Sequence, residues 1–379
     1  MAPTPARASS RPGAIFDAGP DGGPAEFRDP FAVITAATPA DLPEAFAAMA
    51  RARAAGRWLA GWFSYELGYA LEPRLAKLAP PGQTVPLLKL GVFGPPSPDL
   101  DLGGEGHLSA PEPGWSRAEH AAATERVLDW IGRGDCYQVN LTFPLRARWR
   151  GDPRGIWRRL ARVQPVAYGG LIDLGGPVIL SRSPELFLAT DGLGGIETRP
   201  MKGTAPRDPD PSRDRAAAEA LASSPKDRAE NLMIVDLMRN DLSRICEIGS
   251  VRVPEIFAVQ SFATVHQMTS RVTGRLLPGI GLAEILRALF PCGSVTGAPK
   301  IRAMEIIRAL EPFPRGVYCG SVGWIAPDGR MQLNVAIRTL TLHPDGRAVM
   351  NVGGGLVADS TPDGEYEEAL WKARFATPG

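Results

Sequence analysis

The sequence is short of several features that would send its function elsewhere. Of its 379 residues only four are cysteine (Cys136, Cys246, Cys292 and Cys319), and no two form a CxxC pair. That spacing argues against a structural zinc site and a disulfide framework, and predicts reduced thiols in a cytoplasmic setting. No apolar run approaches the ~20 residues of a membrane-spanning helix. The formal net charge is +1, so no global field draws in nucleic acid or an anionic membrane. Any anion bound here is held by a local site. No GxGxxG or GxxxxGK[ST] element opens a helix, and GSVTGAPK (293–300) departs from a phosphate loop because a proline precedes its lysine. The opening MAPTPARASSRPG lacks a hydrophobic signal core and reads as a frayed terminus, with a transit peptide as the alternative.

What is present is ample core material, with 44% hydrophobic and 22% charged residues, as in an ordinary globule. Composition predicts disorder over 1–28, an N-terminal subdomain over 29–112, and a catalytic domain over 113–379. The boundary is a Pro-, Gly- and acid-rich linker at 94–114. A helix is predicted from Pro43 to Ala55, and a buried aromatic strand opens WLAGWFSYELGY (58–69). Further strands are predicted at 166–173, 178–181, 185–190, 317–325, 331–341 and 347–352. Helices are predicted at 116–132, 213–222, 225–239, 282–289, 299–310 and 362–374. Blocks of neighbouring strands separated by helices imply a layered α+β domain.

Two helix starts carry paired acids. In SSPKDRAENLMIVDLMRNDL (223–242), Ser224 is a natural N-cap, Pro225 suits the first helical position, and Asp227 and Glu230 share a face. In DSTPDGEYEEALWKA (359–373), Thr361 can cap, and Glu365, Glu368 and Lys372 form a stripe. Two such pairs can hold a hard cation such as magnesium through oxygen atoms; equally, acids favour helix first turns and solvent. Lys202 in TRPMKGTAPR (198–207) is a nucleophile if a dry pocket removes its proton, and a solvated charge otherwise. Glu185 in SRSPELFL (181–188) is a proton donor if buried, and a strand-edge acid if not. The turns at Thr296, Gly297 and Ala298 and at Gly353, Gly354 and Gly355 offer backbone N–H groups to a carboxylate. Arg338 can fork onto a carboxylate, with Tyr318 as a hydroxyl donor. His266 reads either as a site residue or as a satisfied core histidine.

In order, GDCYQVNLT (134–142), SRSPELFL, TRPMKGTAPR, KDRAENLMIVDLMRNDLSRICEIGSV (226–251), TVHQMTSRVTGRL (264–276), FPCGSVTGAPKIRAMEII (290–307), YCGSVGW, LNVAIRTL and NVGGGLVADSTPDGEYEEALWKA (351–373) resemble the chorismate-utilising family. That family includes anthranilate, salicylate, isochorismate and aminodeoxychorismate synthases. The resemblance covers nearly all of 115–375 and implies an α/β/β/α sandwich of two antiparallel sheets with helices outside. It implies magnesium on Glu230 and Glu368, with Asp227 and Glu365 nearby. Arg338 and Tyr318 would hold an enolpyruvyl carboxylate, the two turns and Lys372 would surround the ring carboxylate, and His266 would lie beside the ring. Gln138 stands where the isochorismate and salicylate enzymes carry a water-activating lysine, which disfavours hydroxylation. Lys202 stands where anthranilate synthases typically carry alanine. Together these imply amination of chorismate at ring carbon 4, with Glu185 and Lys202 as reacting groups. No cysteine has a glutaminase context, so a glutamine amidotransferase partner and a downstream lyase are implied. The competing readings are an anthranilate-forming enzyme and a catalytically silent chorismate-binding paralogue.

Overall fold

The computed structural model describes residues 11–262 and 265–377. Among these, the strands form two ten-stranded sheets in which all paired neighbours are antiparallel. The first sheet runs Gly297–Ala298, Gln138–Gly151, Arg347–Leu356, Thr339–Leu342, Val178–Ser181, Gly170–Asp173, Gly13–Phe16, Ala25–Arg28, with Gly106–Leu108 and Glu112–Pro113 also paired to Gln138–Gly151. The second runs Met201–Pro206, Val265–Arg275, Gly195–Arg199, Leu186–Asp191, Arg330–Asn334, Ser321–Ile325, Trp58–Phe63, Leu88–Phe93, Ala32–Ala36, and Arg252–Ser261 adds to Val265–Arg275.

The sheets face one another across a buried apolar layer. Ala14, Phe16, Phe27, Ile172 and Ile179 of the first pack on Ala60, Trp62, Phe93, Val322 and Trp324 of the second, with the Phe27 and Phe93 rings 5.6 Å apart. Helices cover the outer faces. Leu42–Ala54, Pro225–Ser243 and Leu282–Leu289 bury their apolar sides on the second sheet. Pro153–Val163 and Pro362–Lys372 cover the first. The architecture is therefore the α/β/β/α sandwich. Among the described residues no helix is long and apolar enough to cross a membrane.

Three expectations need correction. Residues 1–10 lie outside the described residues, but 13–28 are not disordered: they supply two strands of the first sheet. Composition hid this because the Gly- and Pro-rich turn between them surrounds a few decisive apolar residues, Ile15, Phe16 and Phe27. Their carboxylates are also tied down, Asp17 to Arg182 at 2.6 Å and Glu26 to Arg154 at 2.7 Å. Second, the 94–114 linker is no gap, since two of its segments pair with Gln138–Gly151. Third, the single strand expected at 331–341 is two strands in different sheets.

That third difference positions everything that follows. The chain leaves the second sheet at Asn334 and enters the first at Thr339. The neighbouring strands switch sheets too, between Ser181 and Leu186. The crossovers are bonded side by side, Arg182 N–H to Arg338 O and Val335 N–H to Glu185 O, each at 3.0 Å. Arg338 takes a positive φ of 50° there, a strained conformation for a non-glycine residue that the paired crossovers enforce.

Beneath the crossovers lies a buried ionic cluster. The Arg315 guanidinium donates to Glu311 at 2.7 and 2.8 Å, to Val295 O at 2.9 Å and to Asn140 O at 2.6 Å. Glu66 accepts from the N–H groups of Arg315 and Gly316. Arg315→Met leaves Glu311 charged without its partner, and is expected to cost about 3–5 kcal/mol in urea unfolding.

Candidate active site

A cavity of about 530 Å³ opens where the crossovers meet the strand Met201–Pro206 and the two acid-bearing helices. Its lining includes Glu185, Lys202, Tyr318, Arg338, Gly353, Gly354, Gly355, Lys372, Asp227, Glu230, Glu365 and Glu368. Residues as far apart in the chain as Glu185 and Lys372 converge here.

Lys202 owes its place to an interrupted ladder. Met201 pairs with Thr269 and Thr204 with Gln267, and the register shifts between them, an irregularity of the kind that re-aims side chains beside active sites. Gly203 turns with φ +87°, so close to Asp227 that a Cβ would stand 2.9 Å from that side chain. The Lys202 amine lies over Gly355, where a Cβ would stand 2.7 Å from Nζ and 2.9 Å from the Gln138 amide. Burial pushes its pKa down and Lys372 adds to the effect, while Glu230, Glu185 and Glu368 pull it back up.

Glu185 is 4% exposed, and its Oε1 has no partner among the described residues. Burial raises its carboxyl to about 7, against the opposing pull of Ser294, Lys202, the Met201 N–H and Arg338. It is therefore a carboxyl poised to exist as an acid near neutrality. Burial similarly drives the Tyr318 phenol upward, keeping it a neutral donor. Gln138 is fully buried, with both amide atoms unpartnered among the described residues; its amide lies on the same side of Gly355 as the Lys202 amine, outside the cavity lining.

The facing helices present the acids. Ser224 accepts from Asp227 N–H at 3.3 Å, the cap read from the sequence. Thr361 occupies the N-cap of Pro362–Lys372, but its hydroxyl makes no cap bond; Ser360 instead donates to Glu365 at 2.5 Å. Lys372 holds Glu368 at 2.8 Å and donates to Gly353 O at 3.0 Å, and this pairing lowers the Glu368 carboxyl. Glu230 and Glu365 are raised by burial, with Glu368 adding repulsion to both. Among the described residues no three His, Cys, Asp or Glu side chains converge as a ready cage. Magnesium needs only one or two carboxylates plus substrate oxygens, and a cation between these helices relieves the repulsion. The residues fit that ion.

Two expectations move elsewhere. Thr296, Gly297 and Ala298 do not line the cavity. Gly297 and Ala298 form an edge strand on Gln138 and Val139, and the Thr296 hydroxyl bonds back to Cys292 O and Gly293 O. His266 does not line it either. Successive strand side chains point to opposite faces, and on Val265–Arg275 it is Gln267 that faces the cavity, with its Oε1 unpartnered among the described residues. The sequence reading also passed over Asn140, Ser294, Lys226 and Asn351. Of these Asn351 was findable, two and four positions before Gly353 and Gly355 on one strand.

Gly355→Ala drives a methyl group into the Lys202 amine and Gln138. Activity is expected to fall at least about tenfold with the fold intact, as measured by initial rates and thermal melting.

A model of chorismate binding enzymes matches residues 100–378. Aminodeoxychorismate synthase component 1 of Salmonella typhimurium is 46% identical over 264 residues, covering 70% of this chain and 58% of that protein. Anthranilate synthase component 1 of Thermus thermophilus is 42% identical over 260 residues, covering 69% and 56%. The match thus spans little more than half the length of these curated relatives. The crystal structure of anthranilate synthase component I from Streptococcus pneumoniae superposes with a TM-score of 0.74 at 30% identity, covering 85% of this chain and 81% of that one.

Proposed function

The chain belongs to the chorismate-binding enzyme family, and from that membership we propose that it aminates chorismate at ring carbon 4, giving 4-amino-4-deoxychorismate, the precursor of para-aminobenzoate and folate. The observation that carries this reading is the Lys202 amine, set in the cavity beside Glu185 and over Gly355.

In this proposal Arg338 and Tyr318 hold the enolpyruvyl carboxylate, while the Gly353–Gly355 strand and Lys372 flank the ring carboxylate. Glu230 and Glu368, with Asp227 and Glu365 beside them, hold a magnesium ion, which when bound neutralises the ring carboxylate and favours loss of the hydroxyl. Glu185 gives its proton to the ring carbon 4 hydroxyl, which leaves as water as Lys202 Nζ bonds to ring carbon 2. Ammonia then bonds to ring carbon 4, the Lys202 amine leaves, and the proton lost from nitrogen returns to Glu185. The enolpyruvyl group stays on the ring, so a separate lyase consumes the product. Ammonia comes from a glutamine amidotransferase partner, with free ammonium as a poorer source. The four free, buried cysteines suit work in a reducing cytoplasm.

The test is incubation of the purified chain with chorismate, ammonium and magnesium, with product identification before and after adding a lyase. Para-aminobenzoate only after the lyase supports the proposal; fluorescent anthranilate without it overturns the assignment of position. Chelating the magnesium is expected to stop turnover.

A further inference from the structure

His266 is 2% exposed and sits outside the cavity, yet it is the centre of a polar chain. Its Nε2 lies 2.9 Å from Asp214 Oδ1, and its Nδ1 lies 2.8 Å from Ser261 Oγ. Asp214 also accepts the Arg207 fork, Nε and Nη2 each at 2.8 Å, and the N–H of Asp208 at 3.0 Å. Arg207 donates once more, to Phe262 O at 2.6 Å. Held by Arg207, Asp214 stays ionised well below the usual carboxylate range. It can only accept, so the Nε2 proton of His266 points at it.

These bonds join three elements around one strand. Asp214 lies in the first turn of the helix Pro211–Ser223, Ser261 ends the strand Arg252–Ser261, and Arg207 directly follows Met201–Pro206. His266 pairs with Ala205, three residues from Lys202. Met201–Pro206 is the edge of its sheet, laddered on one side only, and that ladder is broken at Lys202 itself. An edge strand with an interrupted ladder opens locally at low cost unless something else holds its end.

We propose that the Ser261–His266–Asp214–Arg207 chain is a clasp that fixes the cavity wall bearing Lys202, which makes His266 and Asp214 positioning residues and not groups that touch substrate. This deepens the functional reading given above and rests on it for its kinetic consequence alone. A misplacement of the wall by ~1 Å is enough to cost on the order of a hundredfold in rate.

The test pairs amide hydrogen exchange with steady-state kinetics in His266→Ala, Asp214→Asn and His266→Gln. In His266→Ala, amides of 201–205 are expected to exchange about tenfold faster or more, while those of Pro225–Ser243 and Pro362–Lys372 keep their rates. For chorismate, kcat is expected to fall about tenfold or more with KM within about threefold. Asp214→Asn, which keeps an acceptor but loses the Arg207 ion pair, is expected to show a smaller form of the same local effect. His266→Gln, whose amide N–H can still reach Asp214, is expected to recover most of both readouts. Faster exchange spread evenly over the molecule overturns the clasp in favour of general stability. Loss of kcat with unchanged exchange at 201–205 also overturns it, by placing His266 on the substrate. Should the wild type not turn over chorismate, the functional proposal falls and the exchange pattern alone decides the clasp.

Discussion

Lys202→Ala is expected to slow amination at ring carbon 4 by roughly 10³-fold or more, because in the proposed covalent route it removes the group that bonds to the ring before ammonia does. In water only about one lysine in a few thousand is neutral at pH 7. Each unit by which burial depresses the amine raises that fraction about tenfold, and burial is the first cause acting on Lys202. Glu230, Glu185 and Glu368 act against burial and favour the charged form. Mass spectrometry of the wild-type protein with chorismate and magnesium, without ammonia, is expected to show an adduct on the peptide carrying Lys202. Lys202→Arg, permanently charged, is expected to be as inactive as the alanine variant. The two variants differ in one respect. Alanine clears the space over Gly355 and Gln138, so ammonia can reach ring carbon 2 and a trace of anthranilate is expected from it alone. Undiminished amination by Lys202→Ala would remove the covalent route.

Much of this site was legible in the sequence, and the parts that were not share a cause. Helix starts are local: Ser224, Pro225 and Asp227 announce Pro225–Ser243 through one side chain and one backbone N–H, and the structure keeps that bond. Thr361 obeys the same grammar, yet its hydroxyl makes no cap bond, and it is Ser360 that bonds the Glu365 carboxylate. Strand side chains are the opposite case. Whether His266 or Gln267 faces the cavity is decided by a pairing register with residues some 60 positions away, and a slip of one residue exchanges them. The motif around them reads the same either way. The break at 182–184 was legible, since separate strands were expected at 178–181 and 185–190, but the crossover at 335–338 was hidden for a related reason. A strand that switches sheets has an unbroken apolar pattern, so 331–341 read as one strand, and only the second sheet's neighbours reveal the break that places Arg338 beside Glu185.

The N-terminal error has another origin. Residues 11–30 are dominated by glycine, proline, alanine and aspartate, which is the composition of a loop. Order there comes from partners far along the chain, Arg154 and Arg182, whose guanidinium groups are almost wholly buried by Glu26 and Asp17. Composition averages over a window, whereas two ion pairs and three apolar side chains were enough to fix these strands.

Glu185→Gln is expected to lower turnover by about 10²–10⁴-fold, the range for removing a positioned proton donor. Its pH signature follows from the raised carboxyl. A group held at about 7 is an acid below that value and a carboxylate above it, so the donor is lost as pH rises through about 7. The Lys202 amine works in the other direction, gaining its reactive neutral form as pH rises. The productive pair, neutral amine with protonated acid, carries one proton, and so does the unproductive pair of ammonium with carboxylate. The wild-type bell therefore belongs to the pair and not to either residue. Glutamine separates them. It stays neutral at every pH, so the alkaline limb of the kcat/KM profile is expected to vanish. It also removes one of the negative charges that hold the proton on Lys202, so the acid limb is expected to shift to lower pH. An alkaline limb that survives in Glu185→Gln would mean that the hydroxyl takes its proton from some other group.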